Sequence, residues 1–588
     1  MKRRYCLLPC ANLPFTVILC RSHPSLFTPS LTSLFLTSSC LAFCACCPPP
    51  LSSTLWFPPH SHVKPSRRAH RITAELTLTL YTLYPPHTHT PALAIALALT
   101  HLPLSPLHAT VPSPLIPTMR AARCSTICGV AGLRMASSVV DEMKDQMLKR
   151  NKEDAPKIAD LKKKHGHEKL SDATIEAAYG GMRGITGLVY ESSLLDAMDG
   201  IRFRGRTIPE CQKVLPKAPG GSEPLPEAMF WLLMTGEVPT AEQAKALNTE
   251  LHRRADAEAI GAAQRAIAAL PKNAHPMTAF SVGVMALQTY SKFAEAYATG
   301  KSNKKTYWEY ALDDALDLVA RTPSVAAMIY NRATTGATEV AAASNSDLDW
   351  AANFSNMLGF KDQEFWDCMR LYLSIHVDHE GGNVSAHTTT LVASALSDPY
   401  LAFSAGLNGL AGPLHGLANQ EVLKYLFSMQ DRVKADGVNV SDEAALEKAL
   451  TKYTWELLKA GHVVPGYGHA VLRKTDPRYM CQRDFCLRHH FEDDLFKLVN
   501  TIYKIMPDIL TEHGKTKNPY PNVDAHSGVL LQHYGLKEQD YYTVLFGLSR
   551  QMGVMSGVVW DRIQGRPLER PKSTTTEALA KKYLNTSL

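Results

Sequence analysis

The first 118 residues almost lack acid: they hold eight Lys or Arg and a single carboxylate, Glu75. The remaining 470 residues lack net charge, with 54 of the 62 basic and 54 of the 55 acidic side chains, so the formal +7 belongs to the leading segment. A body that is neutral on average gives no support to nucleic-acid binding. Paired cysteines are missing too. Seven of the thirteen lie between Cys6 and Cys47, and Cys124, Cys128, Cys211, Cys368, Cys481 and Cys486 are scattered. No spacing suggests a disulfide framework or a zinc finger, so reduced thiols are expected. Long apolar runs are absent as well. Pro91–Leu99 falls well short of the roughly 20 residues that a membrane span needs. Sustained period-two alternation is nearly absent, which limits strands to a minor part.

The leading segment carries 18 of the 37 prolines, with Leu, Ser, Thr and His in no helical or strand period. Such a composition is not expected to build a packed core, and residues 1–118 read as a disordered, low-complexity extension. Met119 begins a stretch with Arg120, Arg123 and Arg134, several Ser and Thr, and no acid until Asp141. That is the composition of a mitochondrial transit peptide over 119–139. Transit peptides work only at an N-terminus. Met119 is therefore the expected start of the native protein, with 1–118 absent from it.

From about residue 140 the chain reads as helix after helix. Apolar residues recur at three- and four-residue steps in Glu227–Thr235, Glu242–Ala257, Trp308–Ala320, Asp442–Ala460 and Leu495–His513, punctuated by Gly, Pro or Asn. The fold class is all-α, and the loops between helices carry the unusual chemistry.

The most informative loop is Gly412-Pro-Leu-His-Gly-Leu-Ala-Asn-Gln-Glu421. Pro413 suits the first turn of a helix, and the spacing downstream predicts one starting there. His415 would then sit near a positive helix end, which disfavours imidazolium and keeps a neutral hydrogen-bond donor. Gly412 and Gly416 would let a ligand approach closely. Ser374–His387 packs three histidines and two acids into fourteen residues but lacks the His-Glu-x-x-His pattern, so an anion-contacting segment is favoured over a metal site. In His462–Tyr479, Pro465, Gly466 and Gly468 break regular helix ahead of His469, Arg473, Lys474 and Arg478. Exposed backbone donors and fixed cations make an anion pocket, and arginine offers a fork that matches a carboxylate. The loop Lys517–Gly528 delivers Asp524 to a helix start, where an N-cap is the commonest fate of an aspartate. Arg550 lies in an apolar helix, and Arg570 in Pro567-Leu-Glu-Arg-Pro-Lys572.

These motifs, with Gly180–Tyr190, Ile201–Gly205 and Ile208–Cys211, resemble citrate synthases of the eukaryotic mitochondrial type from about residue 140 to near the C-terminus. The resemblance implies condensation of acetyl-CoA with oxaloacetate, then hydrolysis of the citryl thioester, with acetyl-CoA as co-substrate and no tightly bound cofactor or metal. Asp524 resembles the family's base, His415 the imidazole that hydrogen-bonds the thioester oxygen, and His469 the group that polarises the oxaloacetate carbonyl. His379, Arg478 and Arg550 resemble its carboxylate-binding residues. Val463, Val464, Gly466, Tyr467 and Arg473 resemble the coenzyme A contacts. Arg570 matches a position supplied by the neighbouring subunit, which implies a homodimer. The implied architecture is a large helical domain, 140–417 and 535–588, around a smaller inserted domain, 418–534. Asn585-Thr-Ser-Leu588 is not a peroxisomal Ser-Lys-Leu address, so the mitochondrial matrix is expected. Two rivals stay open here: a 2-methylcitrate synthase taking propionyl-CoA, and a catalytically silent relative.

Overall fold

The computed structural model describes residues 125–585, all within one compact unit of the chain. The expectations for residues 1–118 and for the start of the transit segment, 119–124, lie outside the described residues, and from Ser125 onward that segment runs into the helix Ser125–His165. Among those described there are twenty α-helices and one small antiparallel sheet, Ser193–Asp196, Gly200–Phe203 and Arg206–Thr207. The all-α reading therefore holds.

The core is built on two long helices packed together, Tyr307–Thr335 and Tyr542–Ile563. A third, Pro226–Thr235, is buried at all ten positions. Helices apolar on every side belong in a protein interior. The first of these runs well past the Trp308–Ala320 stretch marked by periodicity, straight through Pro323. A proline inside a helix frees the carbonyl four residues back. Here the freed carbonyl of Val319 accepts the indole N–H of Trp350 at 3.1 Å, which removes the usual reason to stop. Glu242–Ala257 needs the opposite correction. That helix is Ala241–Arg254, and Asp256 caps a new one, Ala257–Ala268, by accepting from the N–H groups of Glu258 and Ala259.

Between 418 and 534 five helices pack mainly on one another: Ala418–Ala435, Glu443–Lys459, Pro477–Arg488, Asp494–His513 and Asp524–His533. The hairpin of the small sheet docks onto this group. Its turn is closed by Asp196, whose carboxylate accepts from Met198 and Asp199 N–H, and the Ala197 carbonyl accepts the Arg473 N–H at 2.8 Å. Cys211, Cys368, Cys481 and Cys486 are all free and buried.

Candidate active site

One wall of the site is formed by His379, Ser385, His415 and Arg550. The helix Gln363–Ile375 ends before His379, and Glu380 then adopts a left-handed φ of 57° that turns the chain toward the helix Val384–Ser394. Asn383 caps that helix and spreads its side chain widely. Its amide donates to the carbonyls of His379 and Glu380, while its oxygen accepts from Ala386 N–H, the Ser385 hydroxyl and Arg550 Nη1. Arg550 also donates from Nε to the His376 carbonyl at 3.1 Å and from Nη1 to Ser385 Oγ at 3.3 Å. Its acceptors are all neutral. Burial lowers its pKa to about 10 against the opposing charge of Asp378. That carboxylate is fully buried and held by the hydroxyls of Ser192 and Ser193 at 2.7 and 2.8 Å.

His415 is where the structure departs from the helix-start expectation. The helix begins at Ala418, and 412–417 is a series of turns in which His415 N–H donates to the Gly412 carbonyl. Pro413 is thus not in a first helical turn. Gly416 serves the chain's own packing rather than a ligand, since a Cβ there would lie 2.6 Å from the Leu410 carbonyl. The neutral ring stands all the same, by a different cause. Nε2 receives the Ser385 N–H at 3.3 Å and lies 2.9 Å from the Ser385 hydroxyl, so this hydrogen-bond network assigns the proton to Nδ1. Burial, then the charges of Arg550 and Arg478, push the pKa down to about 3.

The other wall carries His469, Arg478 and Asp524, stitched together by main-chain bonds. Gly468 N–H donates to the Tyr520 carbonyl, Asn522 N–H to Gly466 and Asp476 N–H to Pro521. Gly466, at φ 80°, is required here: a Cβ would lie 2.9 Å from that of Ala525. Gly528 does the same against Leu423, letting the Asp524 helix lie close on the one that follows His415. His469 Nδ1 accepts from the N–H groups of Val471 and Leu472, which leaves its proton on Nε2. Burial is the main cause that lowers its pKa to about 4.

Arg478 is buried, and its fork is already engaged. Nε and Nη2 donate to the two oxygens of Asp476 at 3.1 and 2.7 Å. Burial opposes ionisation of Asp476, but the charge and hydrogen bonds of Arg478 outweigh it and hold that carboxyl below the usual range. The free fork expected from sequence is therefore half spent on orientation.

Asp524 is the first residue of its helix, and the cap position belongs to Val523, with no side-chain cap bond. The N-cap alternative is excluded. Asn522 Oδ1 accepts the Asp524 N–H, while the Asp524 carboxylate has no hydrogen bond among the described residues. Burial raises its pKa to about 7 against the opposing charges of Arg478 and Arg550. The two walls meet where the His379 and His469 rings stand edge to face, 5.6 Å between centroids. Asp524 and His415 both feel Arg478 and Arg550.

The neighbouring histidines diverge. His376 stacks on Tyr372 and lies 2.7 Å from that residue's carbonyl, whereas His387 pairs with Glu569 at 2.7 Å. Sequence reasoning missed Ser385, Asn383, Asp476 and Asn522, which orient the candidate residues. Only the closeness of Asp476 to Arg478 could have hinted at one of them.

The family model for the citrate synthase C-terminal domain matches residues 181–572. The chain belongs to the citrate synthase family. It is 84% identical over 470 residues to the probable mitochondrial citrate synthase of Leishmania infantum, covering 80% of this chain and all of that one. Identity to the mitochondrial citrate synthase of Neurospora crassa is 55% over 445 residues, 76% of this chain and 92% of that one. The solved citrate synthase of Pyrobaculum aerophilum shares the fold, with a TM-score of 0.55 at 24% identity over 70% of this chain and 95% of that one. A Thermoplasma acidophilum citrate synthase, solved with carboxymethyl coenzyme A and oxaloacetate, gives 0.54 at 21% identity over 68% and 96%. This member is of the eukaryotic mitochondrial type and is an enzyme of the citrate (Si)-synthase kind, condensing acetyl-CoA with oxaloacetate and hydrolysing citryl-CoA to citrate.

Proposed function

We propose that the two walls divide the reaction between them. The observation that carries this reading is their meeting at the His379–His469 contact, with an unbonded carboxylate on one side and a neutral imidazole donor on the other. Asp524 removes a proton from the acetyl methyl of acetyl-CoA. The His415 Nδ1–H donates to the thioester oxygen as the enol forms, and His469 Nε2–H polarises the ketone of oxaloacetate. A carboxylate is a weak base for so weak a carbon acid, so charge must be met on oxygen as the proton leaves. His379, Arg478 and Arg550 hold the oxaloacetate carboxylates. Val463, Val464, Gly466, Tyr467 and Arg473 contact coenzyme A, which comes and goes as co-substrate. Val463 is 81% exposed and open to such a ligand, whereas the Val464 side chain is buried in the core.

Thiol release from acetyl-CoA with and without oxaloacetate tests the reading. Release that is independent of oxaloacetate overturns it, and faster turnover of propionyl-CoA reassigns the acyl group. Arg478→Lys is expected to raise the KM for oxaloacetate more than it lowers kcat, because one ammonium cannot both hold Asp476 bidentately and face substrate. An unchanged KM counts against the clamp.

The active unit is proposed to be a homodimer in which Arg570 serves the partner's site. Arg570 is exposed and, among the described residues, makes no hydrogen bond or ion pair, although Glu569 beside it is anchored to His387 and Ser394. Tyr179, Met182, Val189 and Leu568 leave apolar surface uncovered in the neighbouring segments. Mixing inactive Arg570→Ala and Asp524→Asn chains should restore up to about a quarter of parental activity, since a random hybrid holds one intact site. No recovery overturns the shared site.

Within the mitochondrion, the matrix is the proposed location, reached by a transit peptide over 119–139. The Leishmania infantum relative aligns in full over 470 residues, the same number as lie from Met119 to Leu588. Peptides of the native protein are expected to map only after Met119, and one mapping before it overturns that start. Residues 418–534 are proposed to act as the smaller domain, closing over oxaloacetate against 140–417 and 535–588.

A further inference from the structure

Behind Asp524 and Arg478 lies a buried pair of rings with unpartnered polar atoms that the reaction scheme leaves unused. His526 is fully buried, yet neither ring nitrogen has a hydrogen-bond partner among the described residues. Tyr479, also fully buried, has an unpartnered hydroxyl and meets the His526 ring edge to face, 5.2 Å between centroids at 80°. Phe496 and Tyr503 complete the surroundings, Tyr503 stacked on Tyr479 at 5.2 Å. Burial pushes the His526 pKa down to about 3, so the ring is neutral. An apolar ring would suit such a pocket better, and a buried polar group without a partner asks for a reason.

The reason is in the connectivity. His526 follows Asp524 by two residues in the first turn of one helix, and Tyr479 directly follows Arg478 at the start of another. A second link runs parallel, Gln482 Nε2 donating to Ser527 Oγ at 3.1 Å. We propose that His526, through Tyr479, is a positioning residue that sets the Asp524 carboxylate relative to the Arg478 guanidinium. This rests on Asp524 being the base and goes beyond it, because His526 has no part in the proton transfer or in the carboxylate clamp proposed above.

The test uses the full-length enzyme with His526→Phe, His526→Gln, Tyr479→Phe and the double variant His526→Phe/Tyr479→Phe, beside Asp524→Asn. His526→Phe keeps the ring and its packing. It is expected to melt at or above the parent's temperature while kcat falls about tenfold, as small misplacement of a reacting group does, with the KM for oxaloacetate within about twofold. His526→Gln should recover part of that kcat. Tyr479→Phe should lose as much as His526→Phe, and the double variant no more than either, the mark of one shared interaction. Near-normal kcat in His526→Phe, with Asp524→Asn inactive, overturns this inference alone. Near-normal turnover in Asp524→Asn overturns it together with the base assignment. A parallel fall in melting temperature and kcat without recovery in His526→Gln reduces His526 to a packing residue and also overturns it.

Discussion

Asp524→Asn is expected to lower kcat by about 10²–10⁴, the range a general base contributes. The substitution keeps the size and most contacts of the side chain and removes only its ability to take a proton. The parent's kcat/KM should rise with pH through about 7, the value to which burial lifts the carboxyl, and the variant should lack that limb. Stability should move the other way. A carboxyl whose folded pKa lies above the unfolded value of about 3.9 stabilises the fold fully below that value, and the contribution is lost as pH rises through about 7. Asn does not ionise. At pH 8 the variant is therefore expected to melt above the parent, with the gap closing toward pH 4. Melting curves and pH–rate profiles check both halves, and a variant that keeps the rising limb removes Asp524 from the role of base.

His415→Ala should cost about 10²–10³ in turnover, the usual effect of deleting one donor to a developing oxyanion, or roughly 2.7–4 kcal/mol. The structural loss is smaller. The bonds to the N–H and hydroxyl of Ser385 disappear, and a hydrogen bond of this kind contributes about 1 kcal/mol net. Turnover should thus collapse while the melting temperature shifts by a few degrees. Because the ring stays neutral down to about pH 3, it should add no limb to the pH profile near neutrality. A folded variant with near-parental kcat ends the assignment.

Much of this was legible in the chain itself. Helices such as Pro226–Thr235, Glu443–Lys459 and Asp494–His513 match their periodic stretches closely, because each presents a continuous apolar face or is buried all round. The misses have local causes at a distance in sequence. Trp350 lets a helix pass through Pro323, and no window around the proline contains that indole. The neutral state of His415 was foreseen from a helix end, whereas its causes are burial and the charges of Arg550 and Arg478. The N–H of Ser385, thirty residues earlier, sets which nitrogen keeps the proton. The motifs marked the candidate residues because their chemistry is unusual. Their orienting partners, Ser385, Asn383 and Asn522, are common residues whose work depends on where the fold brings them.

The bonds that tie 466–468 to 520–522, and 476 to 521, bear on timing. Imidazole, guanidinium and carboxylate share one scaffold, so none can arrive ahead of the others. In the proposed closure these three would therefore reach a bound keto-acid together, and thioester would not meet one of them without the other two.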